Sequence, residues 1–222
     1  MCASSARRRV GVRALRVPLG AVLAGLLLGG CSSSGGPVAT ATPSPTPMSR
    51  LETNALELPR IDFCSLVPDD AVADALGNAS GADERPRSAA YGNGDQLALA
   101  DIGRDRVQEL GCSWSAGGTA ARAWLFARPA DAALARRVRA EAAERTGCRV
   151  VDAPFGRAAF RQSCDATQDR QRVRYAGLFD QTWLTCEVAG PRDVGAAGQQ
   201  ASTRRRAEQW CVRVASSLAE AR

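Results

Sequence analysis

The sequence predicts an α+β fold, an antiparallel sheet with helices packed mainly on one face and fastened by disulfides. Three observations lead there. The apolar pattern runs in the order helix, hairpin, helix, strands, helix, without the strict strand–helix alternation of a parallel sheet. Cys112 and Trp114 alternate with Ser113 and Ser115 ahead of Gly117-Gly118, and Arg122 to Phe126 returns, which is a hairpin pattern. Six cysteines, Cys64, Cys112, Cys148, Cys164, Cys186 and Cys211, are spread through the same region with no Cys-x-x-Cys pair among them.

Each element has its own local reason. Pro68 at the opening position, Asp69 and Asp70 in the first turn and Gly77 behind Leu76 predict a short helix whose buried stripe is Val72, Ala75 and Leu76. Residues 78–105 read as a long loop holding one short element, with a turn at Gly92-Asn93-Gly94-Asp95. After the hairpin, Asp131 caps a helix to about Thr146, with Leu134, Val138 and Ala142 inward and Gly147 as its stop. Arg137, Glu141 and Arg145 on its other side are solvated helix support. Val150-Val151 and Ala158 to Phe160 flank a turn at Pro154-Phe155-Gly156. Val173, Tyr175 and Phe179 share one strand face opposite Arg172 and Arg174, and Trp183 to Val188 forms a further strand. Ala207, Trp210, Cys211, Val214, Ala215 and Leu218 make one stripe of a terminal helix, and Arg204 to Arg206 lie near its start.

The leader sets the domain organisation. Arg7, Arg8, Arg9, Arg13 and Arg16 precede an apolar stretch from Val17 to Leu28, too short to span a bilayer, and Leu28-Gly29-Gly30-Cys31 ends it. This is the pattern of a bacterial lipoprotein signal: residues 1–30 are removed and Cys31 carries acyl chains. Residues 31–57 are then a Ser-, Gly-, Pro- and Thr-rich tether, and residues 58–222 a single extracytoplasmic α+β domain. The expected location is the outer side of the cell membrane, with the lipid anchor as the membrane contact.

Charge and composition narrow the function. Of 29 basic residues, five lie in the leader, which leaves 24 against 23 acidic ones, so the basicity is a targeting effect and nucleic acid is not an expected partner. The chain has no Lys and no His. That removes His-based nucleophile systems, ordinary His-ligated zinc, Schiff bases and the P-loop lysine. No catalytic residue, cofactor or metal site is assigned. Cys2 goes with the leader and Cys31 is lipidated, so the other six cysteines, in an oxidising compartment, are expected to form three disulfides. Six cysteines allow many connectivities. The pattern expected among them is sequential, Cys64–Cys112, Cys148–Cys164 and Cys186–Cys211, motivated by a helix entry tied to the hairpin, a strand pair closed around Pro154 and a strand tied to the last helix. Aromatic residues are only 5% of the chain, so such bridges matter more than in an aromatic-rich core.

Asp62-Phe63-Cys64-Ser65-Leu66-Val67-Pro68, the helix ending at Leu76-Gly77, Gly111-Cys112-Ser113-Trp114 and the terminal Trp210-Cys211 resemble the cysteine-containing envelope lipoproteins of actinobacteria that carry a domain of unknown function. A looser likeness is to the extracellular sensor domains of actinobacterial receptor kinases. The resemblance covers about residues 58–222. It implies a lipid-anchored envelope protein and carries no catalytic residues. The expectation is therefore a non-catalytic binding or sensor-like module for a small molecule, a lipid or an envelope protein, with Trp114, Trp124 and Trp183 as available flat surface although each suits a core better. Two alternatives stand beside it: a hydrolase using Asp165 with Asp169 or Asp69 with Asp70, whose helix-start and turn positions already explain them, and a structural role in envelope assembly.

Overall fold

A row of seven strands carries every helix and both disulfides of the described chain. The computed structural model describes residues 46–53, 55–77, 85–99, 103–167, 169–191 and 197–221; the leader, Cys31 and most of the tether lie outside them. The helices are α1 (Asp69–Leu76), α2 (Ala132–Glu144) and α3 (Ala197–Glu220). The strands are β1 (Arg87–Tyr91), β2 (Gln96–Leu99), β3 (Gly103–Arg106), β4 (Glu109–Ala116), β5 (Thr119–Phe126), β6 (Cys148–Asp152), β7 (Arg157–Thr167), β8 (Arg170–Phe179) and β9 (Thr182–Pro191). The main sheet runs β1-β4-β5-β9-β8-β7-β6 with every pairing antiparallel, and β2 and β3 form a separate ribbon. The α+β class is as the sequence predicts.

Residues directly opposite on antiparallel strands share a face, so the register sorts the side chains. On the inner face Cys112, Trp114, Ala121, Ala123, Leu125, Leu184, Cys186, Val188, Val173, Tyr175 and Phe179 pack under α1 and α3. The whole expected stripe of α3, from Ala207 to Leu218, is at most 1% exposed. Trp210 stands edge-on to Trp114 at 5.3 Å and its indole N–H donates to the Arg122 carbonyl at 2.8 Å. That bond satisfies the polar end of a buried aromatic. On the outer face Phe160, Ala176, Leu178 and Trp183 pack under α2. Two helices therefore cover one face and the third covers part of the other.

Several local expectations are met. Asp131 Oδ1 accepts from the Leu134 N–H at 2.7 Å, the N-cap bond that satisfies an orphan donor of the first turn. Gly77 closes α1 with φ of 73°, in the left-handed region that glycine tolerates. The Pro154 turn folds inward: Phe155 is fully buried and meets Phe179 edge-on at 5.0 Å. This works only because Gly177 lies beneath it, where a Cβ would fall 1.6 Å from the Phe155 carbonyl oxygen.

Other expectations are corrected. Residues 85–106 are not a loop with one element. They hold the edge strand β1 and the β2–β3 ribbon, whose base is closed by Gly94 N–H to Val107 O at 2.7 Å and Val107 N–H to Asp95 O at 3.0 Å. Packing also starts before Leu58: Met48 is 1% exposed within the inner core, held in a short 3-10 turn at Met48–Arg50. Arg204 to Arg206 are not at the start of the last helix, which begins at Ala197. Arg206 lies across Gly77, where a side chain would collide with its guanidinium, and so places a cation at the C-terminal end of α1.

Candidate outer-face binding site

The outer face of β1, β4 and the first half of β8, and of β5 and β9 away from Phe126 and Trp183, has no helix over it among the described residues. Three rows cross it. Arg172, Ala189, Ala120, Ser115 and Arg87 lie in one, Arg174, Glu187, Arg122, Ser113 and Ala89 in the next, and Ala176, Thr185, Trp124, Gly111 and Tyr91 in the third. Arg170 stands one row further out on the same face of β8. The strand pleat produces this: on β8 the inner positions Val173 and Tyr175 are apolar, and the positions between them are arginine.

Glu187 is the centre. Its side chain is 2% exposed, and three guanidiniums reach it. Arg174 donates through Nε at 3.1 Å and Nη2 at 2.8 Å, Arg172 Nε is at 3.6 Å and Arg122 Nη1 at 3.8 Å. A buried carboxylate is costly unless its lone pairs are met, and the arginines meet them. Glu187 is the carboxylate that the three guanidiniums share. The guanidinium of Arg174 also lies over the Trp124 ring, 5.0 Å from its centroid, which fixes both planes. Arg170 Nη2 donates to the Gly118 carbonyl in the β4–β5 turn at 3.0 Å.

The rim is aromatic and partly acidic. Tyr91 lies flat over Gly111, where a Cβ would fall 2.2 Å from its ring, so the glycine is what lets an edge-strand tyrosine fold onto the sheet. Its hydroxyl donates to Glu109 Oε2 at 3.5 Å. Burial pushes the Tyr91 phenol far above its usual range, with Glu109 adding to it, and burial also raises the Glu109 carboxyl.

A concavity of about 560 Å³ opens at the start of α2, lined by Asp131, Leu134, Arg137, Arg157, Leu178 and Asp180. Arg157 Nη2 donates to the Asp180 carbonyl at 2.7 Å. Asp180 has φ of 50°, which the two-residue β8–β9 turn demands. Its two arginines and two aspartates offset one another, so it carries no surplus charge.

The cysteines divide. Cys64–Cys112 and Cys148–Cys164 are disulfides, with Cα atoms 5.5 and 4.1 Å apart. The expected third bridge is not formed: Cys186 and Cys211 are free thiols, both 0% exposed, at the contact of β9 with α3. They face each other and hydrogen-bond as small buried side chains, and burial first, then the Cys186 partner, pushes the Cys211 thiol well up. Asp62 lies beside Cys64 and Cys112, but their sulfurs are bonded to each other and offer no thiolate to a metal.

The carboxylates weighed from the sequence take separate places. Asp70 is bound through both oxygens by Arg213 Nη2 at 2.7 Å, which ties α1 to α3 and holds its carboxyl below the usual range. Asp165 lies in β7 opposite Gln171 rather than in the expected turn, Asp169 is at the β7–β8 turn, and both are exposed. Trp114 and Trp183 are core residues at 9% and 1% exposure, while half-buried Trp124 alone of the three belongs to the outer site. Glu187 was missed by sequence reasoning. The available signal was one acid within the apolar run Trp183 to Val188. Compared with protein-family models and with curated proteins, the chain matches none.

Proposed function

We propose that this protein is a lipid-anchored, non-catalytic binding module of the bacterial envelope that recognises its partner through the uncovered outer face of the sheet. The reading rests on one observation above the others, the three arginines gathered on a single buried glutamate where no described helix covers the sheet. Under α2 the same face is closed by apolar residues, whereas here it presents charge. Arginine supplies fixed donor forks for anionic groups, and Trp124 and Tyr91 add flat surface beside them. The lipoprotein pattern at Cys31 supplies the anchoring, and the likeness to actinobacterial envelope lipoproteins agrees with that setting. A non-catalytic role is supported by the residue inventory, because the bridged sulfurs are not nucleophiles, the free thiols Cys186 and Cys211 are fully buried, and the chain has no His or Lys to activate a serine.

The test is site-specific photocrosslinking in intact cells. A crosslinker at Ala120, on the outer face, yields an adduct, and one at Asp74, on the exposed side of α1, does not. Equal labelling from both positions, or none from Ala120, overturns the assignment of the face. Replacing Cys31 with Ser releases the protein from the membrane fraction; retention after a high-salt wash overturns the anchor.

A further inference from the structure

We infer that the uncovered face takes an extended acidic segment of a partner protein, laid along β8 so that its alternate carboxylates meet Arg170, Arg172 and Arg174. The inference rests on the face being the recognition surface and adds the chemistry and geometry of what it recognises. Three arginines stand on one face of one strand at two-residue steps, and a strand rises about 3.4 Å per residue, so their Cα positions recur about every 7 Å, with the guanidiniums of Arg172 and Arg174 both leaning to Glu187. Alternate side chains of an extended chain recur at the same interval. An acidic segment in that conformation matches the ladder, whereas a helix or a three-residue repeat does not.

Charge complementarity gives the sign. Arg87, Arg122, Arg170, Arg172 and Arg174 share the face with Glu187 and Glu109. Arg122, whose side chain is 57% exposed, stands two strands from β8, about 10 Å away at ordinary strand spacing, and flanks the same track. Shape decides between a small anion and a chain. Deep concave sites suit small ligands, whereas these arginines stand along one face of a strand. A pleated, arginine-studded surface suits a partner that spreads over several contacts, as other arginine clusters do with acidic motifs.

The experiment uses the full chain and defined probes. A labelled peptide of four Glu-Ser repeats binds in fluorescence anisotropy, and binding weakens as ionic strength rises. A peptide with the same number of glutamates spaced every third residue binds about tenfold less tightly, and the Lys-Ser counterpart does not bind. Arg170→Glu, a change at an exposed position, weakens the Glu-Ser peptide about tenfold, and Arg170→Lys restores part of it. If Arg170→Glu does not fold, the spacing comparison on the unaltered protein decides alone. Equal binding of the two spacings overturns the inference. So does binding of inorganic phosphate or of vesicles containing phosphatidylglycerol in place of the peptide. An Ala120 photoadduct in cells without any peptide binding removes the acidic-segment inference and leaves the recognition face standing; loss of both removes both.

Discussion

The two halves of the sheet's outer face are built by the same strands and have opposite chemistry. β8 presents Arg170, Arg172 and Arg174 along its first half and Ala176 and Leu178 along its second; β9 presents Trp183 near one end and Glu187 further on. Under α2, Phe160, Leu178 and Trp183 exclude water and Phe126 packs against Trp183 with ring centroids 6.4 Å apart. Beyond α2 the same plane is held by ion pairs and a cation–π contact. A strand therefore need not have one solvent face for its whole length. Where a helix lies, the outer residues supply hydrophobic burial, and where none lies they supply charge that holds a carboxylate in place.

The strongest way to break this comparison is to hollow the covered half. Trp183→Ala and Phe160→Ala each remove a side chain that is 1% exposed and should cost about 3–5 kcal/mol by urea unfolding, with peptide binding at the uncovered half unchanged in the folded fraction. A comparable loss of binding would show that the halves are coupled. Glu187→Gln tests the uncovered half. It leaves three guanidiniums without their carboxylate, but the arginine side chains are 57%, 22% and 18% exposed, so water recovers part of the cost and the loss should be about 2 kcal/mol. Binding of the acidic peptide should rise, because a negative charge has left the face. Lower binding in a folded Glu187→Gln protein would show that Glu187 positions the arginines rather than merely neutralising them.

On the inner side, next to Glu187 on β9, the thiol pair sharpens the contrast between buried neutral and buried charged groups. Cys211 keeps its proton to a higher pH when folded than when unfolded. Between the two values the native state holds more protons, so stability falls as pH rises from the unfolded value of about 8.5, by up to about 1.4 kcal/mol per pH unit. Urea unfolding from pH 7 to 10 should show that decline and a flatter profile for Cys211→Ala. A peptide joining Cys186 to Cys211 in non-reducing maps would instead give no thiol titration. The smallest effect is expected at the helix that makes the halves differ: Asp131→Ala removes the α2 cap and should cost about 1 kcal/mol, seen as a downward shift of the thermal midpoint without change in peptide binding.

Local chemistry explains why some of this was legible. The stripe of α3, the Pro68-to-Gly77 helix, the Asp131 cap and the Gly117-Gly118 hairpin each depend on neighbours within a few residues, and all are present. The alternation on β8 was legible too, including the side of Arg172 and Arg174. The strand β1, Arg87-Ser88-Ala89-Ala90-Tyr91, was not, because small and polar residues on an exposed edge have no alternation to read. Nor was the core position of Met48, whose burial depends on distant inner-face residues.

By itself, then, the sequence determined which segments are helix or strand over most of the domain, and that β8 turns its arginines to one side. It also placed Cys148 and Cys164 around a short turn, near enough to pair. Only the tertiary structure decided that β9 lies between β5 and β8, which carries Glu187 between Arg122 and Arg174 although 65 residues separate Arg122 from Glu187 along the chain. It likewise decided that α2 stops short of that cluster and that Cys186 meets Cys211 as a thiol. The physical reason is range: capping, turn chemistry and periodicity act over a few residues, whereas strand order and helix cover are set by the burial of whole faces.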